Sequence, residues 1–188
     1  MDQNVKDEIV RLTEEYGGQW GLNHTRRLLS LVEIIGAGLQ YDAELVWTAA
    51  HLHDWGAYTP WARPGVDHAL RSKEVAASYL VEKGFSPAWT AAVLECIALH
   101  HQGGAGRSLE SILLSDADAL DFLGVVGVLR EFSKQPKDMR KAYDTVCRRK
   151  EQLLKVICLE KTREVAVQRL QETEALLASF EAESFGYF

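Results

Sequence analysis

Six histidines in this chain are confined to its first 101 residues, and four of them are spaced so that one metal site could hold them together. Each of the four falls on the inward apolar stripe of a different predicted helix: His24, His53, His68 and His100. A single histidine on such a stripe is usually a core residue with satisfied polar atoms. Four of them, joined by inward-facing carboxylates, favour a divalent metal ion, because one ion satisfies several buried imidazoles at once.

The accompanying carboxylates are Asp54, directly after His53, and the pair Asp116 and Asp118. Two residues along a helix rotate a side chain by about 200°, so Asp116 and Asp118 cannot share a face. Asp118 falls in line with Leu114 and Asp121, which favours Asp118 as the ligand.

The same rotation separates the remaining histidines. It places His51 opposite His53, so we interpret His51 either as a residue that contacts a ligand without binding the metal or as an ordinary helix residue. His101 lies only about 100° from His100 and is less clearly excluded from the site.

A donor set of imidazole and carboxylate without thiolate suits Fe, Mn, Co, Ni or Zn. Four of these donors could hold one ion: His24, His53, Asp54 and Asp118. His68 and His100 could hold a second ion, with Asp54 bridging through its two oxygens. Two ions about 3.5–4 Å apart would polarise a phosphoryl oxygen and activate water between them.

The elements that must position these donors are all predicted to be helices. Apolar periodicity and capping residues predict helices at 24–35, 42–52, 67–82, 86–101, 109–121, 122–134, 137–157 and 162–183. Proline and glycine predict loops at 55–65 and 101–107. No GxGxxG or Walker motif interrupts this pattern. The fold class is therefore all-α.

Composition sets the class of protein. The 188 residues, 47 % hydrophobic and 26 % charged, predict one soluble domain over 1–188, with a metal-site core at about 20–125 and C-terminal helices 126–188 packing on it. Three cysteines without a CxxC pair suit a reducing cytosol, and we find neither a signal peptide nor a bilayer-spanning stretch, so we expect a cytoplasmic protein.

The net charge of −6 argues against a nucleic-acid partner. Between residues 130 and 169, however, Lys and Arg outnumber Asp and Glu by twelve to six. We interpret this segment as a pair of solvated helices, and a contact with a partner stays open. A homodimer is also left open.

Five ordered motifs resemble the HD domain of metal-dependent phosphohydrolases. They are NHTRRLL (23–29), AAHLHDWG (49–56), HALRSKEVAASYL (68–80), ECIALHH (95–101) and LLSDADALDFLG (113–124). EKTREVAVQRLQETEALLASF (160–180) also resembles the closing helix of small bacterial HD hydrolases. Trp55 departs from the smaller apolar residue that is usual after the HD pair, and either narrows the pocket or packs.

The resemblance implies a single helical HD bundle with four metal ligands: His24, His53, Asp54 and Asp118. By similarity to the two-metal branches, His68 and His100 would complete a dinuclear site. The function it implies is hydrolysis of a small phosphorylated metabolite, with a nucleotide favoured, by a metal-activated hydroxide that attacks phosphorus. Asp54 would fix the ions and take part in proton transfer.

The negative charge of such a substrate requires cations. Arg27 and Arg71 each follow a candidate ligand histidine by three residues, so we predict that both bind the phosphate and assist catalysis. Arg63 and Lys73 are weaker candidates for substrate binding. The competing interpretation for each is an ordinary surface salt bridge.

Two other functions remain open on the sequence. An HD-fold di-iron oxygenase would use a similar ligand pattern, and a non-catalytic module would bind metal or nucleotide without turnover. Four aromatic residues either line a pocket for a ring or pack in the core: Trp55, Tyr58, Trp61 and Phe122.

Overall fold

The computed structural model describes residues 1–104 and 106–188. The described residues form eight α-helices, a short 3-10 turn at Trp55–Ala57 and no β-strand. The helices are α1 (Gln3–Ile35), α2 (Ala43–Leu52), α3 (His68–Glu82), α4 (Pro87–Leu99), α5 (Leu109–Asp121), α6 (Gly124–Lys134), α7 (Met139–Val156) and α8 (Glu160–Ser184). The predicted all-α class is confirmed.

Side-chain caps begin the helices that carry the candidate donors. The carboxylate of Asp42 accepts from the backbone N–H of Leu45 at the start of α2, and Asp67 caps α3 in the same way. Ser86 caps α4, whose first residue is Pro87. These residues satisfy backbone donors that a helix start leaves free, which is why the sequence located these starts. The predicted loops are also present, except that Ala105 lies outside the described residues.

Helix α1 extends further than the sequence predicts. It begins at Gln3 rather than near residue 24, and it is kinked at Gly18, where φ is 62° and ψ is −170°. Glycine adopts this left-handed conformation without the steric penalty of a side chain. The Gly17-Gly18 pair hid the continuity of the helix from sequence inspection.

Helix α5 lies at the centre of the fold, and all but one of its residues from Ser111 to Asp121 are buried. It packs against α1, α2 and α4 on one side and against α6, α7 and α8 on the other. The main apolar core runs from Ile9 on α1 to Ala166 on α8, and a smaller cluster of Val128, Val146 and Leu177 joins α6, α7 and α8. The expectation of a single domain over 1–188 stays a prediction about the folding unit.

None of the described helices combines the length and the apolar character that crossing a bilayer requires.

Candidate metal centre

The candidate donors come from the ends of α2, α3 and α4 and from within α1 and α5, and all of them except His53 line one cavity of about 490 Å³. The donors are His24 on α1, His53 and Asp54 at the end of α2, His68 at the start of α3, His100 and His101 at the end of α4, and Asp118 on α5. The carboxylate of Asp118 on α5 faces His24 of α1 and His101 at the end of α4.

A glycine lets the 3-10 turn after α2 approach α3 closely. Gly56 donates its backbone N–H to the hydroxyl of Ser72 at 2.8 Å, and a Cβ at this position would meet the backbone of His68 and Ser72. This close approach brings Asp54 alongside His68, which is the first residue of α3.

The donor atoms lie near one another without forming good hydrogen bonds. His24 Nε2 is 3.3 Å from Asp118 Oδ1, and His53 Nε2 is 3.4 Å from Asp54 Oδ2. His68 Nε2 is 3.6 Å from Asp54 Oδ1, so the two oxygens of this carboxylate face different histidines. Three overlapping groups could each hold an ion: His24, His53 and Asp118; His53, Asp54 and His100; His68, His100 and His101.

The orientation of two imidazole rings fits a metal. His53 Nδ1 lies 2.8 Å from the carbonyl oxygen of Ala50, and His100 Nδ1 lies 2.7 Å from that of Ile97. A carbonyl only accepts, so each Nδ1 carries the proton and each Nε2 presents a lone pair. Both Nε2 atoms and Asp118 Oδ1 are buried without a hydrogen-bond partner among the described residues. Buried polar atoms left unpaired are costly, and two divalent ions, one held with Asp118 and one with His100, would satisfy them.

The charges of these groups suit a cation. Burial and the neighbouring His53 lower the pKa of His100 to about 3, which keeps its ring neutral. Burial opposes ionisation of Asp118, but the adjacent imidazoles of His101 and His24 hold its pKa well below the ordinary value. Burial also acts against the charged form of His24, yet the neighbouring carboxylates of Asp118 and Asp121 raise its pKa to about 9. The site thus combines an ionised Asp118 with a neutral His100, and His24 must lose its proton to bind a metal ion.

Asp121 supports His24 from behind, and sequence reasoning did not assign it a role. His24 Nδ1 donates to Asp121 Oδ2 at 2.7 Å, which turns Nε2 towards the cavity. Arg27 donates to both oxygens of Asp121, at 2.6 and 3.0 Å, and Arg130 donates to Oδ2. Arg27 does not line the cavity. The structure therefore does not support the prediction that Arg27 binds substrate, because a carboxylate 94 residues away engages its guanidinium.

The other predicted cations lie on a different surface. Arg71 donates to the carbonyl oxygen of Trp61 and to Glu74, both at 2.7 Å, and Arg63 lies 3.6 Å from Glu74. Arg63 and Arg71 line a separate cavity, and Lys73 is exposed and lines neither. The structure therefore does not support their assignment to the substrate. Spacing along the sequence does not show that Glu74 lies next to both arginines or that the 55–65 loop binds Arg71.

The aromatic residues divide between core and cavity. Trp55 is 1 % exposed, stacks on Trp61 at a centroid distance of 4.8 Å and donates from Nε1 to Thr13. Tyr58 packs over Gly17 and Gly21 of α1. Phe122 alone of the four predicted aromatics lines the donor cavity.

Three residues with open roles are now placed. His51 lies 2.8 Å from the carbonyl oxygen of Trp47 through Nδ1 and packs on that ring, away from the donors. Asp116 accepts from the backbone N–H groups of Cys158 and Leu159, so it anchors the start of α8. His101 joins the donors, with its Nε2 2.7 Å from that of His68.

The cavity contains three cations that we did not predict as site residues: Arg130, Lys134 and Arg149. The signal that could have found them is the excess of Lys and Arg after residue 130. We interpreted that excess as solvated helix surface, because nothing in the sequence shows that α6 and α7 fold back over the donors.

Comparison with known proteins agrees with the resemblance of the sequence motifs to the HD domain. Residues 21–123 match the family model described as "HD domain". A structure described as a "predicted HD superfamily hydrolase" from an uncultured Thermotogales bacterium is 27 % identical, with 94 % of this chain and 91 % of that chain covered and a TM-score of 0.67. Bacillus subtilis YpgQ in complex with ADP is 23 % identical, with 94 % and 93 % covered and a TM-score of 0.72. An HD-superfamily hydrolase from Bacillus thuringiensis is 18 % identical, with 96 % and 97 % covered and a TM-score of 0.69.

Proposed function

The chain belongs to the HD-domain family, and on this premise we propose that it is a metal-dependent phosphohydrolase of a small phosphorylated molecule, with a nucleotide as the favoured substrate. Its family and its similarity to HD superfamily hydrolases support a metal-dependent hydrolase in general. The proposal that the substrate is phosphorylated is based on the residues that line the cavity.

One observation carries the proposal. His53 Nε2, His100 Nε2 and Asp118 Oδ1 are buried without hydrogen-bond partners among the described residues, and His100 and Asp118 also line the cavity. We propose that His24, His53, Asp54 and Asp118 hold one ion, and that His68 and His100 hold a second ion next to Asp54. A divalent ion bound there would supply Lewis-acid chemistry, since it acidifies water and polarises a phosphoryl group.

The side chains of the chain have separate tasks in this mechanism. Asp54 directs Oδ2 towards His53 and Oδ1 towards His68, so it ties the two donor groups together and is placed to accept a proton between them. Asp121 holds the ring of His24 in its donor orientation. His68 and His101, which are partly exposed, share a hydrogen bond at the cavity mouth, where a proton can leave for solvent.

The cavity suits an anionic molecule with a planar ring. Arg130, Lys134 and Arg149 supply positive charge on one wall, and Trp20, which is 45 % exposed, offers a ring on which a base can stack. The structure of YpgQ with ADP makes a nucleoside diphosphate the first substrate to test.

The test is hydrolysis by protein reconstituted separately with Mn, Fe, Co, Ni or Zn. Nucleoside mono-, di- and triphosphates are incubated without oxygen, and released orthophosphate and pyrophosphate are measured. We expect metal-dependent release that falls to background in His53→Ala and Asp54→Ala. The matched control is His51→Gln, two residues away on the same helix, which should retain activity because His51 faces Trp47.

The proposal would be refuted if the wild-type protein released neither orthophosphate nor pyrophosphate with any of these metals. So would equal turnover by the wild type and both donor variants. Oxygen uptake with a substrate, in place of anaerobic phosphate release, would instead identify an oxygenase.

A further inference from the structure

Three cations from the C-terminal helices surround one aromatic ring beside the metal centre. Arg130 Cζ lies 5.0 Å, Lys134 Nζ 5.6 Å and Arg149 Cζ 4.7 Å from the centroid of the Phe122 ring. Phe122 and all three cations line the cavity. The cations lie on α6 and α7, beyond the residues 21–123 that match the HD-domain model.

The carboxylates that pair with these cations are fewer than the cations, and Asp54 and Asp118, which also line the cavity, are proposed metal ligands. Asp121 is shared between Arg27 and Arg130, and Glu131 is shared between Lys134 and Arg149. Two carboxylates thus serve four cations. Like charges held this close repel one another, and an anion bound between them would reduce this repulsion.

Two of the cations are themselves incompletely satisfied. The side chain of Arg130 is only 10 % exposed, and its Nε is buried without a hydrogen-bond partner among the described residues. Burial lowers the pKa of Lys134, Glu131 opposes this, and the neighbouring charges of Arg149 and Arg130 lower the pKa further. Both observations indicate donors that an anion would satisfy.

The cations are also close to the proposed metal ligands. Arg130 Nη1 lies 3.3 Å from His24 Nδ1, on the opposite side of the ring from the nitrogen that faces Asp118. The rings of Phe122 and His24 have a centroid distance of 6.1 Å. Because the cations and most of the metal donors line one cavity, one short chain of linked phosphates can touch both groups.

We propose that Arg130, Lys134 and Arg149 form a second-phosphate subsite, which makes the enzyme select substrates with two or more linked phosphates over monophosphates. This inference rests on the proposed function, in which the reacting phosphoryl group lies at the metal donors. A monophosphate placed there would leave the three cations without a counter-charge. A neighbouring phosphate in the same substrate would instead accept charge-assisted hydrogen bonds from them, and arginine forms such bonds in bidentate geometry.

Lys134 and Arg149 are the residues to change, because neither has a recorded bond to a metal donor, whereas Arg130 lies against His24. The variants are Lys134→Gln and Arg149→Gln. Arg148→Gln is the matched control, since it removes the same charge from the adjacent, exposed residue of α7, which bonds to Thr145 and does not line the cavity.

The probes are methylenediphosphonate, which has two linked phosphonates and resists hydrolysis, and methylphosphonate, which has one. Their dissociation constants are measured by calorimetry on metal-reconstituted protein. Diphosphonates bind metal ions well in any site, so each variant is compared with the wild type for the same probe. We expect each cavity variant to bind methylenediphosphonate about tenfold more weakly, as for a lost charged hydrogen bond. Methylphosphonate binding, and all binding by Arg148→Gln, should stay within about twofold of the wild type.

Unchanged binding of methylenediphosphonate by both cavity variants would overturn the subsite. Equal losses for the two probes, or an equal loss in Arg148→Gln, would also overturn it, because general electrostatics would then explain the effect. Circular dichroism confirms that each variant is folded. If the wild type hydrolyses nothing, the proposed function fails while the titrations still decide the subsite. If it hydrolyses monophosphates and both variants bind as the wild type does, the subsite fails and the function stands.

Discussion

Replacing Asp121 with Asn tests whether the carboxylate behind His24 prepares that ring for a metal ion. Asp121 is fully buried and accepts hydrogen bonds from His24, Arg27 and Arg130. Asn has nearly the same size but no charge and only one acceptor oxygen, so its amide group must face at least one of these donors. We expect His24 to lose its fixed orientation and both arginines to lose their counter-charge.

The expected magnitude follows from these contacts. Loss of a carboxylate that orients a ligand histidine weakens metal affinity by about 10–100-fold, which is about 1.4–2.7 kcal/mol. Leaving Arg130 buried without its partner costs about 3 kcal/mol of folding free energy. Arg27 adds less, because its side chain is 33 % exposed. In a chain of this size, a loss of about 3 kcal/mol lowers the Tm by about 6–12 °C.

The assay is titration of Mn²⁺ into metal-free protein by calorimetry, with thermal unfolding measured alongside. Asp116→Asn is the control, because Asp116 is buried on the same helix but bonds the backbone of Cys158 and Leu159. It should lower the Tm and leave the Mn²⁺ dissociation constant within about twofold of the wild type. Wild-type affinity in Asp121→Asn, or an equal loss of affinity in Asp116→Asn, would refute the reasoning.

Three further predictions concern stability. Burial lowers the pKa of His51 from 6.5 to about 4, so between these pH values the unfolded chain binds the extra proton and wild-type stability falls as the pH falls. His51→Gln removes this loss. In urea unfolding with chelator, the free energy of unfolding of the variant relative to the wild type should therefore rise by about 3 kcal/mol when the pH is lowered from 7 to 4. A difference that stays constant with pH would contradict the pKa shift. Chelator should lower the Tm, and Mn²⁺ at about 100 times its dissociation constant should raise it by about 5–10 °C; a Tm indifferent to both would count against a metal centre. Gly56→Ala should cost about 2–3 kcal/mol in urea unfolding, because the new Cβ meets the backbone of His68 and Ser72, and a wild-type midpoint would show that α3 can move away.

Sequence patterns were enough to predict most of the helices and the groups that meet as candidate donors. Helix starts are local, since Asp42 and Ser86 cap the turn that follows them, and apolar periodicity shows which face of each helix turns inward. A histidine on that face must reach the interior wherever the helix packs. This is why all six predicted donors meet, although their roles as ligands stay a prediction.

Which charges line the cavity could be read only from the packed fold. Arg27 meets Asp121, 94 residues away, and Arg130 meets His24 across 106 residues. Periodicity fixes the direction of a side chain but not its partner, because a long charged side chain pairs with whichever opposite charge the packing of other helices brings within reach. The cations of α6 and α7 therefore looked like solvated surface until the fold placed them over the metal centre.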